Sequence, residues 1–323
     1  MLQANRLCKN MDIQRQTITL NNPNPVLTLD ISPDGEQLVL GQQGDYVGNA
    51  NLSLWRLRER QLVAEIEKIK LTSIESARFT FDGKILVYVK SAEDVCLYNF
   101  ETEQHLDTRI NTANVIWLAP AKKSNRLVTA GIVTEVWDTE RLERIWTEPE
   151  YVALPALNLK PAVADITPDG TKVAVAGKNT SQIVIYDLDQ DEVTQKLEDG
   201  PVQAHWARFG PDLYYFAAIG ALSKGIFIWN LESGERHLPD MFNSEFDGYW
   251  SLCFHPNGKY LAVGTLVGYL SIFRLSDGEM IVSQKAHEGR VWDLAFTPDG
   301  KKLISGGDDG IASIMDLNEL VES

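Results

Sequence analysis

The chain has 323 residues, 44% of them hydrophobic, and a formal net charge of −15 at pH 7. The apolar share is ample for a packed core, while the acidity disfavours general binding to nucleic acid or to an anionic membrane surface. Its three cysteines, Cys8, Cys96 and Cys253, show neither a disulfide framework nor metal-ligand spacing, so the expected setting is a reducing compartment, the cytoplasm.

Residues 1–20 are polar, with Lys9, Asp12 and Arg15, and lack the apolar stretch of a signal peptide. Gln16 to Leu20 reads as a lone strand that belongs to no later unit. From there a phrase recurs. An apolar run ends in Ser32-Pro33-Asp34-Gly35, and again in Thr80-Phe81-Asp82-Gly83, Thr167-Pro168-Asp169-Gly170, His255-Pro256-Asn257-Gly258 and Thr297-Pro298-Asp299-Gly300. The glycine supplies the positive φ that a tight hairpin needs, so each phrase joins a first strand to a second. A third strand carries an aromatic landmark: Trp55, Tyr98, Trp137, Tyr186, Trp229 and Phe273, with Met315 at the seventh place. The landmarks lie about 43 residues apart, the period of a four-stranded propeller blade. Outer strands show as weak alternation, as in Leu62–Ile66, Val193–Leu197 and Met280–Gln284.

The fold expected is therefore all-β: a seven-bladed β-propeller of four-stranded antiparallel blades, forming one domain over residues 1–323. Its blades are expected near 25–66, 74–110, 114–147, 162–197, 202–238, 249–284 and 290–317. After Asp316 only seven residues remain, so blade seven lacks an outer strand. Residues 15–20 are expected to supply it and close the ring, which removes an open sheet edge. The longest uncharged stretch, Tyr260 to Phe273, is too short to span a bilayer and contains Gly264 and Gly268.

These repeats resemble the WD-repeat family of seven-bladed propellers over roughly residues 15–317. That family often carries a buried hydrogen-bonded set of His, Ser or Thr, Asp and Trp in one blade. Blade seven offers His287, Ser305 and Asp309 but has Met315 at the Trp position; blade three has Thr129 and Trp137 without the His. The resemblance implies a non-catalytic scaffold with no cofactor, which docks a protein or peptide on the face where the loops into each first strand meet those between second and third strands. The Trp-Asp-x-Arg signature of ligase adaptors in this family is not matched, since Trp137-Asp138-Thr139 is followed by Glu140.

Candidate contacts come from three loops on that face. Residues 238–250 hold Phe242, Phe246, Tyr249 and Trp250, more apolar area than a surface loop usually exposes. Trp250, Trp292 and His205 each stand four residues before a phenylalanine, so they are expected at one height around the axis, with Arg290 beside Trp292. Tyr151 in the proline-rich stretch 146–161 and Tyr46 in the long loop 41–51 could reach the same ligand. A channel enzyme or metal-binding propeller is the alternative, resting on Asp30, Asp165 and Asp293, read as equivalent positions near the ends of first strands. The same carboxylates could instead bond backbone amides. No nucleophile–base pair, metal-ligand spacing or phosphate-binding loop appears, and Gly306-Gly307-Asp308-Asp309-Gly310 reads as a turn between strands. The basic run Lys122-Lys123-Ser124-Asn125-Arg126 at a hairpin is a candidate patch for an anionic partner, or simply solvated charge.

Overall fold

A computed structural model of the protein describes residues 14–46, 48–49, 51–90, 94–106, 114–149, 163–176, 181–220, 225–238 and 248–317. The described strands form seven antiparallel sheets in chain order around a central channel, a seven-bladed propeller. Their first strands, Val26–Ile31, Ile74–Phe79, Trp117–Pro120, Val163–Ile166, Ala204–Phe209, Tyr249–Phe254 and Val291–Phe296, line the axis. Six sheets have four strands. Blade five has three among the described residues, and an isolated bridge from Trp229 to Arg236 stands where the outer strand was expected.

Ring closure is by the N-terminal strand. Arg15–Thr19 pairs antiparallel with Ile311–Asp316, from Arg15 opposite Met315 to Thr19 opposite Ile311. Ile18 and Leu20 sink into one apolar cluster with Ala312 and Ile314, so closure is held by side chains as well as by ladder bonds.

The hairpins repeat one device. The Thr297 hydroxyl donates to the Asp299 carboxylate at 2.6 Å, and the Lys301 amide donates to the same oxygen at 3.0 Å. Ser32 with Asp34, Thr80 with Asp82 and Thr167 with Asp169 do likewise. Blade six substitutes His255, whose Nδ1 accepts the Asn257 amide and whose Nε2 donates to the Gly300 carbonyl of blade seven at 3.0 Å. In blade seven the incomplete set does assemble: His287 Nδ1 donates to Asp309 at 2.9 Å, and Nε2 accepts from Ser305 at 2.8 Å. Met315 fills the Trp position as a fully buried apolar plug.

Five first strands carry a β-bulge in the same place. The residue left unpaired is Leu27, Glu75, His205, Trp250 or Trp292. A bulge re-aims a side chain out of the sheet's alternation. Here the five unpaired residues all stand at the start of their strands, at the end of the channel away from the hairpins.

Candidate functional site

On that end, blades five, six and seven stack four groups. The His205 ring lies 4.5 Å from the Trp250 ring, at 32° to it. Trp250 meets Trp292 edge to face, with centroids 5.4 Å apart. The Arg290 guanidinium carbon sits 4.0 Å from the Trp250 ring and 4.4 Å from the Trp292 ring. This arrangement places a cation against the negative faces of two indoles. All four side chains are half-buried.

Asp308, in the turn after the second strand, sets the geometry. Its Oδ1 accepts the Trp292 indole N–H at 2.6 Å, and its Oδ2 accepts the Arg290 amide at 2.8 Å. The carboxylate is thereby committed to Trp292 and to backbone. No ion pair neutralises the Arg290 guanidinium among the described residues, and its Nε is a buried donor without a partner. His205 Nε2 donates to the Trp250 carbonyl at 3.0 Å, leaving Nδ1 as a buried acceptor without a partner. Burial pulls the His205 pKa down to about 4; the bond to Trp250 opposes this and the Arg290 charge adds to it. The imidazole is neutral at pH 7. Two orphaned polar atoms in one half-buried cluster cost free energy that a structural core would avoid. At the matching bulge of blade two, Glu75 keeps part of its side chain exposed while desolvation raises its carboxyl pKa.

Some sequence expectations need correction. Tyr249 is not a surface contact: it is 5% exposed and its ring packs edge-on against Phe273. Tyr46 is 85% exposed, but its loop is pinned, with Asp45 accepting the Gly48 amide at 2.6 Å and the Asn49 side chain at 2.7 Å. Phe242, Phe246 and Tyr151 lie outside the described residues. In sequence Asp308 is only part of a turn; its role depends on a cross-loop contact that no local pattern encodes.

The three channel carboxylates are not equivalent either. Asp30 and Asp165 stand one residue before the end of their first strands, whereas Asp293 stands three before. Each ties its blade to a neighbour. Asp30 accepts the Phe79 amide at 2.9 Å and Asp165 the Phe209 amide at 2.7 Å. Asp293 accepts the Leu29 amide at 3.0 Å and the Thr28 hydroxyl, and pairs with Arg78 at 3.1 Å. Trp117 and Trp206 do the same by donating their indole N–H groups to the Ala164 and Leu252 carbonyls. Among the described residues no three His, Cys, Asp or Glu side chains are grouped to hold a metal ion.

Comparison with known proteins agrees with this architecture. The family model "WD domain, G-beta repeat" matches residues 242–268 and 278–316, which fall in blades six and seven. A solved structure titled "Crystal Structure of Mitotic Checkpoint Complex" contains a chain that superposes with a TM-score of 0.74 at 18% identity, over 94% of this chain and 90% of that one. At that identity the likeness speaks to fold. No curated protein sequence matches the chain. The chain is a seven-bladed propeller whose sixth and seventh blades match the WD-repeat model, a family that typically mediates protein–protein interaction.

Proposed function

We propose that this propeller is a non-catalytic interaction platform that docks a protein or peptide at the channel mouth of blades five to seven. The observation that carries the reading is Arg290, a cation fixed between two half-buried indoles with no counter-ion among the described residues. Arginine and tryptophan are the side chains that most often anchor interfaces. A rigid ring that holds them in place spares a partner much of the ordering cost of binding. The charge on Arg290 favours a partner that brings an acidic side chain flanked by apolar residues. The 238–250 loop, with Phe242 and Phe246, and the exposed Tyr46 would extend the contact. We further propose a cytoplasmic setting, supported by Cys96 and Cys253, neither of which is in a disulfide.

The test is affinity capture with the full chain, followed by mass spectrometry, comparing it with Trp250→Ala, Trp292→Ala and Arg290→Gln. Truncating a central interface Trp costs about 2 kcal/mol or more, roughly thirtyfold in affinity. Unchanged melting with loss of the same captured protein in all three variants supports the site. Equal capture by all three overturns it.

A further inference from the structure

The hairpin end of the channel opens into a cavity of about 430 Å³, within the range of roughly 300–1,000 Å³ typical of small-molecule sites. Its rim comes from the seven hairpins between first and second strands. In six of them the rim residue is apolar: Pro33, Phe81, Pro168, Pro211, Pro256 and Pro298. Blade three breaks the pattern and places Lys122 and Lys123 there. The wall below is apolar, with Leu29, Phe79, Phe209 and Phe296 among its residues, and Cys253 is half-buried in it.

Internal pairing decides what charge a ligand would meet. Asp30, Asp165 and Asp293 each accept a backbone amide of a neighbouring blade. Arg78 is saturated by Thr28, the Leu29 and Ala77 carbonyls and Asp293. Arg208 lies over the Trp117 ring at 4.3 Å, bonds the Ala207 carbonyl and makes a long ion pair with Asp165 at 3.9 Å. Lys122 and Lys123 make no side-chain hydrogen bond or close ion pair among the described residues and are exposed at the rim, with Lys122 near enough to Asp165 to favour its charged form. Counted formally, the lining holds four cations (Arg78, Lys122, Lys123 and Arg208) against three carboxylates (Asp30, Asp165 and Asp293), and the excess gathers at Lys122 and Lys123 on the rim of blade three, in a protein of net charge −15. Burial also raises the Asp165 and Cys253 pKa values and lowers that of Arg208, as expected of a poorly hydrated wall.

We propose that this cavity binds a small organic anion with an apolar body and one carboxylate-type head, the body against the proline and phenylalanine wall and the head at Lys122, Lys123 and Arg208. The site is distinct from the Arg290 face at the other end of the channel and stands or falls independently of it.

Cys253 provides a reporter inside the cavity and Cys96, in blade two, an internal reference. The full-length protein is treated with the neutral reagent methyl methanethiosulfonate at mildly alkaline pH, and modification of each cysteine is followed by peptide mass spectrometry. Octanoate serves as probe, octan-1-ol as its uncharged counterpart. At about ten times its Kd, octanoate is expected to slow Cys253 modification about tenfold, since only the empty cavity reacts, and to leave Cys96 unchanged. Lys122→Gln/Lys123→Gln, which changes only exposed side chains, should keep the melting curve and lose most of the protection. Calorimetric titration of octanoate into both proteins gives a second reading that does not depend on thiol reactivity: heat with the natural chain and none with the double variant. No protection together with no heat overturns the site. Equal protection by octan-1-ol, or protection undiminished by the lysine changes, overturns the anionic head.

Discussion

His205 of blade five donates its Nε2 proton to the main-chain carbonyl of Trp250 in blade six, across 3.0 Å. The bond fixes a neutral imidazole under the Trp250 ring and beside Arg290, and it ties two blades at the candidate docking face. Burial lowers the His205 pKa from 6.5 to about 4. A base whose folded pKa is depressed takes up its proton more readily when unfolded. Stability is therefore full above about pH 6.5 and falls as the pH drops towards 4, by on the order of 3 kcal/mol from this residue. His255, also lowered by burial, acts in the same direction. Urea unfolding at pH 7.5, 5.5 and 4.5 should show this decline, and His205→Asn should flatten it. Equal slopes for the two proteins would remove His205 as the cause.

Asp309 responds to acid in a lower window. Burial works to raise its pKa, but the bonds from His287 and from the Glu288 and Ile311 amides outweigh that, and the net shift is downward from 3.8. A carboxylate lowered in the folded state contributes stability that is present above its ordinary range and lost as pH falls through the folded value. Asp309→Ala also leaves His287 Nδ1 buried without its acceptor. It should cost about 1–3 kcal/mol at pH 7, read by urea unfolding, and the difference from the natural chain should shrink below pH 4.

How much of this was legible beforehand follows from two kinds of local chemistry. The Ser/Thr-Pro-Asp-Gly hairpins and the third-strand aromatics are short-range patterns, so the blade count, the hairpins and the closing strand could be read from spacing. The bulges could not. An extra residue breaks strict alternation, so Tyr249 and Trp250 cannot be assigned to core or surface by counting, and Tyr249, expected at the surface, is buried. The Arg290–Trp250 stack joins two blades, and the role of Asp308 depends on a loop closing back onto Trp292. Such contacts exist only once the ring is formed. Blade five, whose outer strand is one bridge among the described residues, shows the limit of weak alternation as a signal.

Gly306 tests how tightly the last blade seats on the first. It pairs with Asp293 just after the bulge, and a Cβ there would come within 2.5 Å of Val26 Cγ1 and 2.9 Å of Val26 Cβ. Val26 is fully buried in the cluster that joins blades seven and one. Neither backbone nor a flexible side-chain end is free to yield, so Gly306→Ala should destabilise by about 1–3 kcal/mol through overpacking. A second change, Val26→Ala, should recover part of that loss in the double variant. Additive losses would show that the clash is not what Gly306 avoids.

The N-terminal strand is the last element to test, because it pairs the first described strand with the last. Arg15–Thr19 supplies the outer ladder of blade seven, the Gln14 carbonyl accepts the Asp316 amide, and the Arg15 guanidinium reaches the Lys285 carbonyl of blade six. Without it, Ile311–Asp316 becomes an open edge and the apolar cluster under Ile18 and Leu20 meets water. Removing residues 1–21 should therefore lower the melting temperature by several degrees or more and promote self-association through the exposed edge. Ile18→Ala separates the two contributions, since it keeps the ladder and removes only buried apolar contact. It should cost about 2–4 kcal/mol, less than the deletion. Differential scanning calorimetry gives the melting temperatures, and light scattering gives the oligomeric state. A deleted chain that melts like the whole one, as a monomer, would mean that blade seven is complete with three strands and that closure rests on packing between blades alone.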